Sequence, residues 1–300
     1  MQNKHFCFNY KTNIRTCLWA GFFIKKGGNF MIIDMHTHTN YSDGLYGPEE
    51  LIDLAIEKNL SGIAITDHDS IDALNEANLY AKTKEDFILI PGIEFGCEYD
   101  HKEVHLLGYF IDYNNLDLIS LIKRLKKSRI ERGKKMVGKL VKLGFELDIK
   151  DVRKFAKDDY IGRPHIARAL IEKNYVEDIN EAFEIYLKKG AKAYVDRFKL
   201  SIKESIQLIE KVNGISILAH PGLIGDKDTI DHVISLGVDG IECYHSKHSR
   251  EDTTRLLQLA KRKELIISGG SDYHGDVNIL GNNYIDFNDS PELKRRLENV

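Results

Sequence analysis

The feature that most constrains the fold is a recurrence. Seven short runs rich in Ile, Leu and Val return along the chain, at residues 31–35, 62–66, 87–93, 104–111, 216–219, 238–243 and 265–268. Most show little apolar–polar alternation, the pattern of strands buried on both faces. Helical patterns lie between most of them. Pro48, Glu49 and Glu50 open one that continues through LIDLAIEKN, and others cover 202–212, 228–236 and 251–263. Strands and helices alternating this often predict a closed or nearly closed α/β barrel, with an open doubly wound sheet as the alternative. The chain has 300 residues, enough for one barrel-like domain carrying an insertion.

The insertion is visible as a break in rhythm. Between residues 115 and 198 no buried strand pattern occurs, but several helices do. The first is long and basic, DLISLIKRLKKSRIERGKKMVGKLVKLG, and ends at Gly144. RPHIARALIEKN and INEAFEIYLKKG follow, closed by Asn or Gly in the manner of helix C-caps. The expected division is a barrel from 31–114 and 199–300, with 115–198 as a helical insertion domain.

Charge excludes some classes. The formal net charge is −3, which argues against a nucleic-acid coat protein while leaving room for a local basic groove. No apolar run reaches the length of a membrane span. Cys7, Cys17, Cys97 and Cys243 form no C-x-x-C pair, so they read as ordinary thiols of a reducing compartment, the cytoplasm. Residues 1–30 stand apart. Their apolar patch at 17–24 precedes no small-residue cleavage site, which counts against a signal peptide. Gly27 and Gly28 require G-rich codons shortly before Met31, where a bacterial ribosome-binding site would lie. Residues 1–30 are therefore expected to be a translated leader or disordered extension, with an added edge strand or helix as the alternative.

Polar residues fall at the strand ends. His36, His38 and Asp43 follow the first run, His68 the second and Glu94 the third. His220 follows the fifth, His245 and His248 the sixth, and Asp272 and His274 the seventh; His105 alone stands near the start of its run. The C-terminal rim of a barrel is where its loops assemble an active site. Single pieces are weak: an H-x-H pair shares one face of an extended segment but is often incidental. TDHDS alone could cap a helix. Six histidines and three carboxylates together are a set that would fill more than one metal site. Imidazole and carboxylate without sulfur suit Mn, Fe or Zn.

DMHTHTNYSDG, AITDHDS, PGIEF, HLLGYF, AHPG and GGSDYHG resemble the PHP (polymerase and histidinol phosphatase) metallohydrolases, and among them the stand-alone TrpH-like phosphoesterases. The resemblance covers residues 31 to about 283, including the place of the insertion. It implies a distorted seven-stranded (β/α)7 TIM-like barrel with two or three divalent metal ions. His36, His38, Glu94 and Asp272 would hold the first, and Glu94 would bridge to a second held by His105 and His220. Asp43, His68 and His274 would hold the third; some relatives have histidine in place of Asp43. The expected chemistry is phosphate-ester hydrolysis by in-line attack of a metal-bridged hydroxide, with His245 or His248 as candidate general acids. Arg129, Arg132 and Arg163 are candidate grips for a second phosphate, Arg163 just before a helix N-terminus. The resemblance implies nucleoside 3′,5′-bisphosphates or short RNA 5′ ends as substrates. A histidinol-phosphate-type phosphatase is the enzymatic alternative and a non-catalytic metal-binding scaffold the other. No obligate protein partner and no membrane association are expected.

Overall fold

The computed structural model describes residues 30–157, 160–275 and 278–298. Apart from Phe30, the leader expected over 1–30 lies outside them. Strands β1 (Ile32–Thr37), β2 (Gly62–Ile65), β3 (Ile88–Tyr99), β4 (Lys102–Tyr109), β5 (Ile215–Leu218), β6 (Gly240–His245), β7 (Ile266–Gly270) and β8 (Ile285–Asp286) form one sheet. Its order is β7-β6-β5-β4-β3-β2-β1-β8. The far edge curls back. Thr37 bridges Tyr273 in parallel just beyond β7, with His38 N–H donating to the Tyr273 carbonyl at 3.0 Å. A Cβ on Gly270 would stand 2.3 Å from the His36 Cβ, so only glycine lets the two backbones meet. The result is a nearly closed barrel.

Two details differ from the sequence expectation. An eighth strand is present among the described residues, antiparallel to β1 and two residues long; so short a segment carries no periodicity to read. The barrel is also not wholly parallel. β3 and β4 form an antiparallel hairpin, and β4 is antiparallel to β5. The turn residues Asp100 and His101 both have positive φ, 45° and 62°, as a two-residue hairpin turn twisted to match its strands requires. β3 accordingly runs on to Tyr99, well past the apolar run.

The helices follow local signals. Pro48–Glu57 starts on a proline with Glu49 and Glu50 in its first turn. Ser201 and Glu204, and Ser249 and Asp252, form reciprocal capping boxes at the starts of Ile202–Lys211 and Arg250–Lys263. Among the described residues no helix is long and apolar enough to cross a membrane. Cys97 and Cys243 are buried free thiols.

The long helix Leu116–Lys142, capped by the Asn115 side chain, belongs to two cores. Its Leu118, Ile122 and Leu125 pack with the barrel. Its Met136, Val137 and Leu140 pack with Ile161, Ile166, Leu170 and Leu187 in a second apolar cluster. Between these stretches the same helix buries Arg129 and Arg132. Two guanidinium groups thus mark the seam between the two cores.

Candidate metal centre

The rim gathers nearly every residue that the sequence singles out. His36 and His38 stand two apart at the end of β1 and so face the same way. Glu94 lies within β3, not after it, and pairs with His68 through an isolated bridge. His105 sits opposite Gly96 in the antiparallel hairpin. Because β4 runs against its neighbours, its beginning lies where their ends lie, which explains the one histidine out of pattern. His220 follows β5 at φ 30° and Asp272 follows β7 at φ 54°. Left-handed backbone at non-glycine residues is strained and concentrates at functional sites.

Glu94 is the hub. Its Oε1 lies 2.8 Å from His105 Nδ1 and 3.1 Å from His220 Nε2. Its Oε2 lies 2.8 Å from His68 Nδ1, 3.3 Å from His38 Nε2 and 3.5 Å from His36 Nε2. Asp272 Oδ1 is 3.2 Å from His38 Nε2 and 3.5 Å from His36 Nε2. Asp43 is 3.4 Å from His274 Nε2 and 3.9 Å from His68 Nε2. Four overlapping groups result: His38, Asp43, His68 and His274; His36, His245 and Asp272; His36, His38 and Glu94; His68, Glu94 and His105.

These donors fit divalent cations. His36 Nε2, both nitrogens of His38, His68 Nδ1, Glu94 Oε2 and Asp43 Oδ1 are buried without a hydrogen-bond partner. Burying polar atoms unpaired is costly, and here one donor atom from each of these residues lies within 4.8 Å of those of its group. His68 Nδ1 and Glu94 Oε2 are close yet lack hydrogen-bond alignment, as expected of two groups directed at a third. Oxygen and imidazole nitrogen without thiolate suit Mn, Fe or Zn. Burial pushes His38 down to about 3. Burial opposes charge on His105 and His274 as well, but facing carboxylates outweigh it and hold both at about 9. Burial likewise opposes ionisation of Glu94, which the surrounding imidazoles nevertheless hold well below the usual carboxylate range.

Supporting groups escaped the sequence reading. Glu242, buried in β6, takes His36 Nδ1 at 3.0 Å with one oxygen and the His220 N–H at 2.7 Å with the other. A carboxylate behind a ligating imidazole fixes its tautomer and direction. Asp34 accepts the N–H groups of Ser271, His36 and Gly281, lacing β1 to the segment after β7. Asp67 accepts the Thr39 N–H, the Thr39 hydroxyl and the Ser42 hydroxyl. Burial raises both carboxyls to about 6. Arg168, on the helix Arg163–Glu172, donates to the Asp43 carbonyl at 2.9 Å, and the Tyr160 hydroxyl donates to the His68 carbonyl at 3.1 Å. The only sequence signal for Glu242 was a lone acid in an apolar strand.

The structure gives most of the candidate acids and arginines partners within the protein. His245 ends β6 with its side chain buried, and its Nε2 faces Asp272 Oδ2 at 3.4 Å. His248 has both nitrogens engaged by backbone, Nδ1 with the Cys243 carbonyl and Nε2 with the Gly222 N–H. It is held as a neutral structural imidazole, so it has no free proton to aim at a leaving group. Arg163 donates from Nη2 to both Glu103 oxygens, at 2.8 and 3.0 Å. Arg129 binds Asp69 at 2.6 Å, and Asp69 also takes Arg197 at 2.8 Å, a residue absent from the sequence reading. Arg132 differs. Its Nη2 donates to the Ile161 carbonyl at 3.5 Å, and its Nε is buried without a partner. Burial, then Arg129, Arg163 and Arg197, push its pKa well below the usual guanidinium range.

Comparison with known proteins agrees with this geometry. The family model described as the PHP domain matches residues 34–267. The chain is 29% identical over 250 residues to the 5′-3′ exoribonuclease Rnm of Escherichia coli, covering 81% of this chain and 85% of the relative. It is 30% identical over 248 residues to a 3′,5′-nucleoside bisphosphate phosphatase of Chromobacterium violaceum, covering 81% and 87%. A solved structure from Bifidobacterium adolescentis, described as a metal-dependent phosphoesterase, superposes with a TM-score of 0.81 at 31% identity, covering 88% of this chain and 96% of that one.

Proposed function

As the chain belongs to the PHP domain family and is a metal-dependent phosphoesterase, we propose that it hydrolyses phosphate esters of nucleotides in the cytoplasm, taking 3′,5′-nucleoside bisphosphates or the 5′ ends of short RNA. The observation that carries this reading is a juxtaposition. Glu94, ringed by five imidazoles, lies beside a seam of four arginines of which Arg132 has no carboxylate partner among the described residues. The first suits cations that bind the phosphate to be cleaved, and the second suits a phosphate that is not.

In this reading His36, His38, Glu94 and Asp272 hold one cation, and Glu94, His105 and His220 a second. Asp43, His68 and His274 hold a third, with Mn, Fe or Zn compatible with the donors. Such cations, when bound, neutralise phosphate charge and make water acidic enough to attack near neutral pH. Glu94 supplies one oxygen to each of two neighbouring groups, so it sets their spacing. Glu242 keeps His36 and the strained His220 backbone in place. His245 orients Asp272. Arg132, desolvated and unpaired, gives a charge-assisted contact to a second phosphate.

The test is phosphate release from a panel after reconstitution with Mn²⁺: nucleoside 3′,5′-bisphosphates, 5′-phosphorylated RNA, histidinol phosphate and an aryl phosphate. The bisphosphates should exceed the aryl phosphate in kcat/KM by roughly ten- to a hundredfold, the value of one charge-assisted contact. Histidinol phosphate as the preferred substrate would sink the nucleotide assignment in favour of the alternative phosphatase.

A further inference from the structure

The arginines of the seam are the inner end of a longer row. On the helix Leu116–Lys142, positions 129, 132, 135, 139 and 142 are spaced by three or four residues and share one face. Arg129 and Arg132 are buried, whereas Lys135, Lys139 and Lys142 are exposed. The three lysines line one wall of a groove of about 630 Å³ whose opposite wall is Tyr194, Val195 and Asp196. The next residue, Arg197, reaches back to Asp69 beside Arg129. Both walls therefore run into the arginine cluster.

Gly138 lies in the groove between the lysines, in the body of the helix. No atom lies within 4 Å of where its Cβ would stand. Alanine would fit and would favour the helix, so packing does not call for glycine here. What glycine provides is a low floor on which another chain can approach the helix backbone.

We propose that this groove is a track for the sugar–phosphate backbone of single-stranded RNA leading away from the metal centre. The inference rests on the nucleotide reading of the rim and adds where the RNA beyond its 5′ end would lie. Lys135, Lys139 and Lys142 rise in steps of about 6 and 4.5 Å along the helix, comparable with successive phosphates. Lys135 and Lys142 have no carboxylate partner among the described residues, and Lys139 is held across the groove by the Tyr194 carbonyl at 2.7 Å. Half-buried Tyr194 lines the groove, and an aromatic ring is the kind of side chain on which bases stack. The one carboxylate in the groove, Asp196, accepts the Tyr194 hydroxyl.

The experiment uses the full chain reconstituted with Mn²⁺ and a fluorescent 5′-phosphorylated RNA decamer with hydrolysis-resistant phosphorothioate linkages. Anisotropy gives affinity against salt for the wild type, for a variant combining Lys135→Gln, Lys139→Gln and Lys142→Gln, and for Gly138→Leu. Loss of three phosphate contacts should make the slope of log affinity on log salt shallower by about 2. Between 50 and 200 mM salt the wild type should then lose roughly fifteenfold more affinity than the triple variant. Gly138→Leu should weaken RNA binding about fivefold or more while its Tm stays at or above that of the wild type. Turnover of a nucleoside 3′,5′-bisphosphate should stay within about twofold in both. An unchanged slope and affinity in the triple variant would overturn the track, as would equal losses on the bisphosphate. The readings fail separately: a protein that cleaves no nucleotide but loses its RNA affinity in the triple variant loses the rim assignment and keeps the track.

Discussion

The barrel rim and the seam of the insertion both bury charge, but they dispose of it differently. At the rim, polar atoms from several loops converge and are left without partners inside the protein. At the seam, Arg129, Arg163 and Arg197 are answered by Asp69 and Glu103, and Arg132 is the exception. The difference teaches which groups serve the chain and which serve something outside it. A buried charge that has its own counterion holds structure together, whereas removing one partner leaves the other exposed to the full desolvation cost. A buried polar atom aimed at open space is organised for a ligand.

The strongest test of this contrast is Glu94→Gln. On the proposed assignment an amide would offer one neutral oxygen where two anionic ones stand, so activity should fall about a thousandfold or more on every substrate, with metal content reduced. Metal analysis beside the assay decides it: full metal content with activity within tenfold would remove Glu94 from the centre of the rim. Asp69→Asn tests the other side. Two buried guanidinium groups would lose their carboxylate, and stability measured by urea unfolding should drop by about 3–5 kcal/mol. A change within about 0.5 kcal/mol, the size of an ordinary surface substitution, would mean the seam is not self-supporting.

Smaller effects sharpen the picture. Glu242→Gln should weaken metal binding about ten- to a hundredfold by competition with a chelator, because His36 and His220 lose their common anchor. Unaltered affinity would reduce Glu242 to a packing residue. Arg132→Ala should cost about 1.5–3 kcal/mol, roughly ten- to a hundredfold, on a nucleoside 3′,5′-bisphosphate and little on an aryl phosphate. Arg163→Ala should cost less, since its Nη2 is already engaged by Glu103. Equal losses on the two substrates would count against a remote phosphate. His248→Gln should change kcat by less than about threefold on any leaving group; a large loss confined to poor leaving groups would restore it as a general acid.

How much of this was legible follows from where each signal resides. The H-x-H pair, TDHDS and SDYHG are local strings whose residue types survive any rearrangement of the rest of the chain. The helix starts at Pro48, Ser201 and Ser249 are set by neighbours three residues away. The break in strand rhythm after residue 114 falls where the long helix Leu116–Lys142 begins, but the sequence did not show that this helix packs in both cores. The reversal of β4 was not legible, because an apolar run has no direction written into it, and His105 looked misplaced for that reason alone.

By itself, then, the sequence determined that short buried strands would alternate with helices and that imidazoles and carboxylates would lie near strand ends. Hydrophobic periodicity and capping act over a few residues, so they can be read without a fold. Only the tertiary structure decided that Glu94 would be the hub, that Glu242 would stand behind His36 from 206 positions away, and that Asp69 would claim Arg129 and Arg197. Those pairings depend on which strands become neighbours and which way they run. That is settled when the barrel closes and distant side chains must either find counterions or face the space where a ligand binds.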